Sequence, residues 1–259
     1  MYSWLDTAPG FAKAAEYCEK NYPDGPLHGH QGLPAVFTDI CSYDFDLQST
    51  TSAAQNAYVD KRYMESPIYD LSGSKDGVIN KDIRQSKHLF LTQESTAGAY
   101  TCLELEFARY VHDISCDQFS LSGQDCTVMQ RHVLAYGQND HFEQTRAPQG
   151  RGVKGHADDS VFINGVWQRN DPKRHVVGLL WLSNGGSESE KFNSFTGGEL
   201  IMPFITEDGI NPLRITPKFG QFCIFPASPM YLHSVSPVKT GLRITMTTWW
   251  TFNRYRDNA

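Results

Sequence analysis

Leu242-Arg-Ile-Thr-Met-Thr-Thr-Trp-Trp-Thr-Phe252 is rich in β-branched and aromatic residues, a composition that suits a pleated, half-buried surface and predicts a β-strand. Working outward, Thr127 to Tyr136, Val176 to Leu182, Glu199 to Phe204 and Gln221 to Phe225 read the same way, with Gly or Pro punctuating the gaps. Short strands at this spacing predict a sandwich or jelly roll. The first half of the chain differs. Pro9 to Tyr22 predicts a helix, with Pro near its first turn and Phe11, Ala14, Ala15 and Cys18 on one stripe. Ser95 or Thr96 can cap a second, in which Leu103, Phe107, Tyr110, Val111 and Ile114 recur at helical spacing. Residues 23–94 are rich in Gly, Ser, Asp, Tyr and Pro; a structureless loop of that length is unusual, so short elements are expected there. The reading is mainly β with flanking α. It takes 1–259 as a single domain in which a helical and irregular region, 1–126, packs on a β core, 127–259.

Composition narrows the function classes. The 259 residues are 40% hydrophobic and 12% aromatic, enough to bury a substantial core. The formal net charge is −6, and no run of Lys or Arg makes a basic stripe, so nucleic acid is not an expected partner. The start, Met1 to Asp6, has neither a basic leader nor an apolar region. The densest apolar stretch, Val176 to Leu182, is too short to span a bilayer, so no membrane partner and a cytoplasmic location are expected. Six cysteines are scattered without CxxC spacing, which predicts buried thiols rather than a disulfide scaffold.

His156-Ala-Asp158 carries the chemistry. In an extended segment the two flanking side chains share a face, because strand side chains alternate with period two. One imidazole and one carboxylate then point together, and a second imidazole, His233, would complete the two-His, one-carboxylate set that binds Fe(II) with positions left open. Asp159 would face the other way. Taken singly, each residue has an ordinary reading: His156 and Asp158 as a turn hydrogen bond, His233 as a satisfied core histidine, Arg243 as half of an ion pair. His28 and His30 fit a solvated loop better than a metal site. His132, His141 and His175 read as structural, and Gly197 and Gly198 as a tight backbone lead-in to a strand.

Five pieces occur in order: His156-Ala-Asp158, Arg174-His-Val-Val-Gly-Leu-Leu-Trp-Leu-Ser-Asn184, Thr196-Gly-Gly-Glu-Leu200, Phe219-Gly220 and His233-Ser-Val-Ser-Pro-Val-Lys-Thr-Gly-Leu-Arg243. With them the stretch from Val133 to Phe252 resembles the 2-oxoglutarate- and Fe(II)-dependent oxygenases, in particular the prolyl-4-hydroxylase-like branch. The resemblance implies a double-stranded β-helix, the cupin-like jelly roll, with the metal between its two sheets and N-terminal helices buttressing the larger one. It also implies Fe(II), 2-oxoglutarate and O2 as cofactor and cosubstrates. Tyr136 resembles a family tyrosine that reaches 2-oxoglutarate, and Trp181 stands where many relatives carry a cosubstrate-contacting Tyr.

The far carboxylate of 2-oxoglutarate needs a cation, and Arg243 offers a permanently charged, bidentate fork. It lies ten residues beyond His233, a separation that lets a turn at Pro237 to Gly241 bring the next strand back alongside. Thr245 shares its strand face and could donate to the same carboxylate, with Lys239 and Arg174 as reserve cations. Arg174 is also the first candidate for binding a substrate carboxylate. The expected activity is hydroxylation of an unactivated C–H bond coupled to 2-oxoglutarate decarboxylation. The favoured substrate is a free amino acid or related small metabolite; the alternative is a prolyl or other residue in a protein. A non-catalytic cupin-like binding module is the rival of a different class, and it would tolerate loss of Arg243 or of one ligand. A halogenase is disfavoured by Asp158, because that chemistry needs the position it fills.

Overall fold

A computed structural model of the protein describes residues 8–21, 36–39, 47–60, 64–65, 87–89, 98–99, 101–102, 105, 126–137, 153–171, 174–186, 194–206 and 211–252. Its centre is the strand read first from the sequence. β15 (Val238–Phe252) runs antiparallel to β4 (Cys126–Gly137) on one side and to β8 (Val176–Trp181) on the other. β8 in turn pairs with β13 (Gln221–Pro226), and β1 (Val36–Asp39) closes that edge. Beyond β4 the sheet continues through β3 (Lys87–Leu89) to β2 (Met64–Glu65). The start of β15 also pairs with β10 (Ser194–Gly197), which lies beside the two-residue β9 (Asn184–Gly185).

A smaller sheet faces this one. Its order is β12 (Pro212–Ile215), β11 (Leu200–Thr206), β14 (His233–Val235) and β5 (Val153–His156), all neighbours antiparallel. The two sheets form the double-stranded β-helix that the sequence predicts. Their core holds Trp181, Phe195, Phe222, Phe225, Leu180 and Leu182, each less than 2% exposed. Burying side chains of this size is worth roughly 1.5–3 kcal/mol apiece, so the inter-layer core dominates stability.

N-terminal helices are present, with one addition to those expected. α1 (Ala8–Asn21) buries Ala14 and Cys18 and half-buries Ala15; the side chain of Phe11, the fourth member of its stripe, lies outside the described residues. α1 lies against the 3-10 turn Pro229–Tyr231 and against β7 (Val166–Arg169). α2 (Leu47–Val59) occupies the region read as irregular, and it buries Leu47, Thr50, Thr51, Ala54 and Ala57. Its Thr51 hydroxyl donates to the carbonyl of Leu47 at 3.0 Å and reaches that of Leu182 at 3.4 Å, tying the helix to the end of β8. Of the helix expected after Ser95, residues 98, 99, 101, 102 and 105 are helical, with Ala99 and Cys102 buried; the remaining positions of its predicted stripe lie outside the described residues.

Two further elements depart from the sequence reading. β6 (Ser160–Ile163) and β7 form a hairpin around Asn164-Gly165, both at positive φ (52° and 84°), the type I′ geometry that this dipeptide favours. The hairpin is held to α1, where Lys13 Nζ donates to the Gly165 carbonyl at 2.9 Å and Ser160 Oγ bonds the Tyr17 hydroxyl at 3.1 Å. The second departure is the expected turn at Pro237 to Gly241. β15 already begins at Val238, and it pairs with β10 instead of returning alongside β14. The chain crosses from one sheet to the other there, because β14 fills the smaller sheet between β11 and β5.

Candidate metal centre and its surroundings

The antiparallel pairing of β14 with β5 sets His233 directly opposite His156. Directly opposed residues share a face. Their rings accordingly lie 4.4 Å apart, centroid to centroid, at 51°. Asp158 joins them for a reason other than the one read from the sequence. β5 ends at His156, so Asp158 is not a strand residue on its face; it sits in the bend beyond, where its N–H donates to the carbonyl of Ala227 at 3.1 Å. Asp158 Oδ2 comes 3.4 Å from His233 Nε2. One donor atom from each of His156, Asp158 and His233 falls within 4.8 Å of the others, a cluster that could hold a metal ion. Asp159 stays out of it. That residue is 2% exposed, and its carbonyl accepts from the N–H groups of Asn170 and Asp171 at 2.8 and 3.0 Å, which closes the base of the hairpin.

The surroundings prepare these groups to act as ligands. His233 Nδ1 lies 3.1 Å from the carbonyl of Tyr231. A carbonyl can only accept, so that contact assigns the proton to Nδ1 and leaves the Nε2 lone pair facing the cluster. Phe225 presents its ring to His233 in an edge arrangement, centroids 4.9 Å apart. Burial alone would push the Asp158 carboxyl up. Electrostatic interaction with His233, His156 and Arg174 and the N–H of Trp249 outweigh it and hold the group below its ordinary value. Asp158 is therefore an anion at neutral pH.

The second half of the site comes from β15. Trp249 Nε1 donates to Asp158 Oδ1 at 3.1 Å, which identifies the face of β15 turned toward the cluster. Arg243, Thr245 and Thr247 share that face by alternation. Arg243 is 1% exposed; its Nε donates to the carbonyl of Gly198 at 2.9 Å and its Nη1 to Thr245 Oγ1 at 2.7 Å. Gly198 is at φ +63°, and a Cβ there would meet Phe195 at 2.9 Å and the Arg243 Cδ at 3.0 Å, so the absence of a side chain makes room for the arginine stem. Trp181 lies opposite Thr245 in the register with β8. Its Nε1, like Thr247 Oγ1, is buried without a hydrogen-bond partner. Two orphaned donors beside a buried guanidinium suit a carboxylate ligand, because each would otherwise leave a desolvated polar group unsatisfied.

Other candidates land differently. Tyr136 pairs with Arg243 across β4 and β15, but its side chain lies outside the described residues, as do His28, His30, His141 and the side chain of His132. Lys239 is exposed. Arg174, taken from the sequence as a substrate group, forms an ion pair with Asp171 (Nε to Oδ2, 3.0 Å) and lies over the Trp249 ring, 4.4 Å from its centroid. Its charge is engaged by Asp171, three residues earlier. His175 is buried, and its main chain bonds Trp250 and Ala227, in keeping with a structural role. Two contributors were missed: Trp249, whose period-two spacing from Arg243 was available as a signal, and Tyr231, whose carbonyl role no side-chain pattern could reveal.

Comparison with known proteins agrees with this geometry. The model of the 2OG-Fe(II) oxygenase superfamily matches residues 141–251. Among solved structures, a prolyl hydroxylase from Trichoplax adhaerens in complex with a hypoxia inducible factor oxygen degradation domain peptide fragment superposes with a TM-score of 0.58. That match is at 14% identity and covers 98% of this chain and 97% of that one. A viral collagen prolyl hydroxylase from Paramecium Bursaria Chlorella virus-1, in a 2OG complex, gives 0.51 at 14% identity over 83% and 94%. A Pseudomonas putida prolyl-4-hydroxylase gives 0.51 at 15% identity over 84% and 92%. At such identities the likeness speaks for the fold. No curated protein sequence matches the chain.

Proposed function

We propose that the chain is a member of the 2OG-Fe(II) oxygenase superfamily, whose model matches residues 141–251, with His156, Asp158 and His233 as its iron ligands and Arg243 as its 2-oxoglutarate anchor. The observation that carries the reading is the convergence of the three donor atoms within 4.8 Å, opposite the face of β15 that bears a buried arginine. When bound, Fe(II) with 2-oxoglutarate and O2 supplies the oxidising power: the cosubstrate loses carbon dioxide and becomes succinate, and one oxygen atom enters a C–H bond. The rest is the work of this chain. Asp158 brings the negative charge and the two imidazoles bring neutral donors, so the set leaves room for an anionic chelator. Arg243 and Thr245 receive the far carboxylate, and the Trp181 and Thr247 donors line the same face. Leu179, Phe225 and Trp181, all buried in the larger sheet, keep water from this face.

For the substrate we place a prolyl or other residue within a protein or peptide ahead of a free amino acid, reversing the order favoured by the sequence. Two things support the change. The structures sharing this fold are named as prolyl hydroxylases, one of them holding a peptide. Arg174, the cation that would have received a free amino acid's carboxylate, is paired with Asp171. The same proposal treats 1–126 as packing on 127–259 in one domain. It also assigns a cytoplasmic setting, consistent with Cys18, Cys102 and Cys223 as free, buried thiols; among the described residues no helix is long and apolar enough to cross a membrane. The test is mass spectrometry of proline-bearing peptides and free amino acids after incubation with Fe(II), 2-oxoglutarate and O2, with succinate measured in parallel. Succinate formed in proportion to a peptide product carrying one added oxygen supports the proposal. A product among the free amino acids alone would restore the original order, and no coupled succinate with any substrate would favour the binding module.

A further inference from the structure

We propose that Trp249, backed by Arg174 and Asp171, sets how Asp158 presents itself to the metal: one oxygen bound, the other held. This rests on the ligand assignment made above. A carboxylate can take a metal through one oxygen or both, and the choice decides how many positions remain for cosubstrate and dioxygen. The two oxygens of Asp158 are not equivalent. Oδ1 accepts the Trp249 indole N–H at 3.1 Å, whereas Oδ2 is buried, lacks a hydrogen-bond donor and lies 3.4 Å from His233 Nε2. A two-oxygen grip would turn Oδ1 toward the metal and bend or break the Trp249 bond, stranding a buried indole N–H. With that bond intact, Oδ2 is the oxygen offered.

The indole must itself be fixed for this to work, and its strand and a cation over its ring fix it. Trp249 is 4% exposed and held in β15 between β4 and β8. The guanidinium of Arg174 lies over its ring at 4.4 Å from the centroid, an attractive placement of a cation on the negative face of an aromatic. Asp171 fixes Arg174 in turn, through the 3.0 Å ion pair. The line Asp171, Arg174, Trp249, Asp158 thus runs from the surface to the metal ligand, and Arg174 becomes a positioning residue acting through Trp249. Partners that orient a metal ligand from behind typically govern metal affinity by roughly ten- to a hundred-fold.

The experiment uses the full chain without 2-oxoglutarate or substrate, so that a substrate role for Arg174 cannot contribute. Fe(II) under anaerobic conditions and Co(II) are titrated into wild type, Trp249→Phe, Arg174→Gln, Arg174→Lys and, as a control, His233→Ala. The brace predicts a weakening of roughly ten- to a hundred-fold in Trp249→Phe. It also predicts altered position and intensity of the visible Co(II) bands as the carboxylate changes its grip. Arg174→Gln, at a partly exposed side chain, shifts the bands in the same direction by less, and Arg174→Lys restores them by returning a cation to the ring. Should Trp249→Phe fold poorly, the Arg174 pair decides the matter alone. Wild-type affinity and an unchanged Co(II) spectrum in Arg174→Gln would overturn the brace. Metal binding in His233→Ala equal to wild type would instead overturn the ligand assignment, leaving the two failures distinct.

Discussion

Replacing Arg243 by Ala tests the half of the site that owes nothing to the metal. The side chain is 1% exposed and donates hydrogen bonds to the Gly198 carbonyl at 2.9 Å and to Thr245 Oγ1 at 2.7 Å. Those bonds hold the guanidinium in place in the absence of cosubstrate, so little ordering cost remains when a carboxylate arrives. Truncating one member of a buried, hydrogen-bonded charge pair costs about 2–5 kcal/mol, or roughly thirty-fold to several thousand-fold in affinity. The same truncation leaves the Gly198 carbonyl without its donor, at about 1–3 kcal/mol of stability, so the variant should melt lower but still fold. Arg243→Lys should recover only part of the affinity, because an ammonium cannot serve both acceptors and the ligand with one planar fork. Titrating 2-oxoglutarate into the anaerobic Fe(II) protein, and following the metal-to-ligand charge-transfer band, reads the affinity directly. The expected result is a midpoint raised by at least tens of fold with unchanged iron content. An unmoved midpoint in a folded Arg243→Ala would refute the anchor and direct attention to Lys239.

Other perturbations probe different joints. Asp158→Ala should abolish turnover and sharply weaken metal binding, while Asp159→Ala keeps the metal and loses thermal stability; metal analysis of both variants checks this, and the reverse pattern would exchange their roles. Gly198→Ala should weaken 2-oxoglutarate binding without altering metal content, because the new Cβ would crowd the Arg243 Cδ at 3.0 Å in a backbone conformation that costs about 1–3 kcal/mol for a side-chain-bearing residue. Equal cosubstrate titrations in the two proteins would rule that out. Burial raises the Cys223 thiol well above its ordinary value. Its stabilising contribution is therefore complete below the thiol's unfolded pKa and is lost as pH rises past it, because the unfolded chain ionises there and the folded one does not. The melting-temperature advantage of wild type over Cys223→Ala should shrink at alkaline pH, and a gap that stays constant would argue against it.

Much of the larger sheet was legible because runs rich in β-branched, aliphatic and aromatic residues, such as Val176–Leu182 and Leu242–Phe252, carry their own signature. Which sheet a strand joins carries none. Pro237 to Gly241 has the composition of a hairpin turn, yet the chain there passes between layers, because both edges of β14 are already paired, one with β11 and the other with β5. The right residues were also joined for an incomplete reason: His156 and Asp158 converge because the Ala227 carbonyl gathers the bend after β5, a main-chain contact invisible in side-chain spacing. α2 escaped notice because its buried face is Thr50, Thr51, Ala54 and Ala57, too small and polar to stand out as an apolar stripe. Asn164-Gly165 between Ser160–Ile163 and Val166–Arg169 was a strong hairpin signal left unread. Arg174 was a fair guess on charge, and only its position over Trp249 shows where that charge is used.

β15 carries Arg243, Thr245, Thr247 and Trp249 on alternate positions of one uninterrupted run, its ladder with β8 unbroken from Thr245 to Trp250. Point substitutions there act one at a time, but the residues share a single phase. Adding or deleting one amino acid between Arg243 and Trp249 would turn everything on one side of the change to the opposite face of the sheet. The carboxylate anchor and the Asp158 partner could then no longer look into the same cleft. Tolerance to length variation should accordingly be near zero across these seven positions and rise again in the connections flanking the strand, a contrast that deep insertion and deletion scanning of 238–252 would display as a sharp trough.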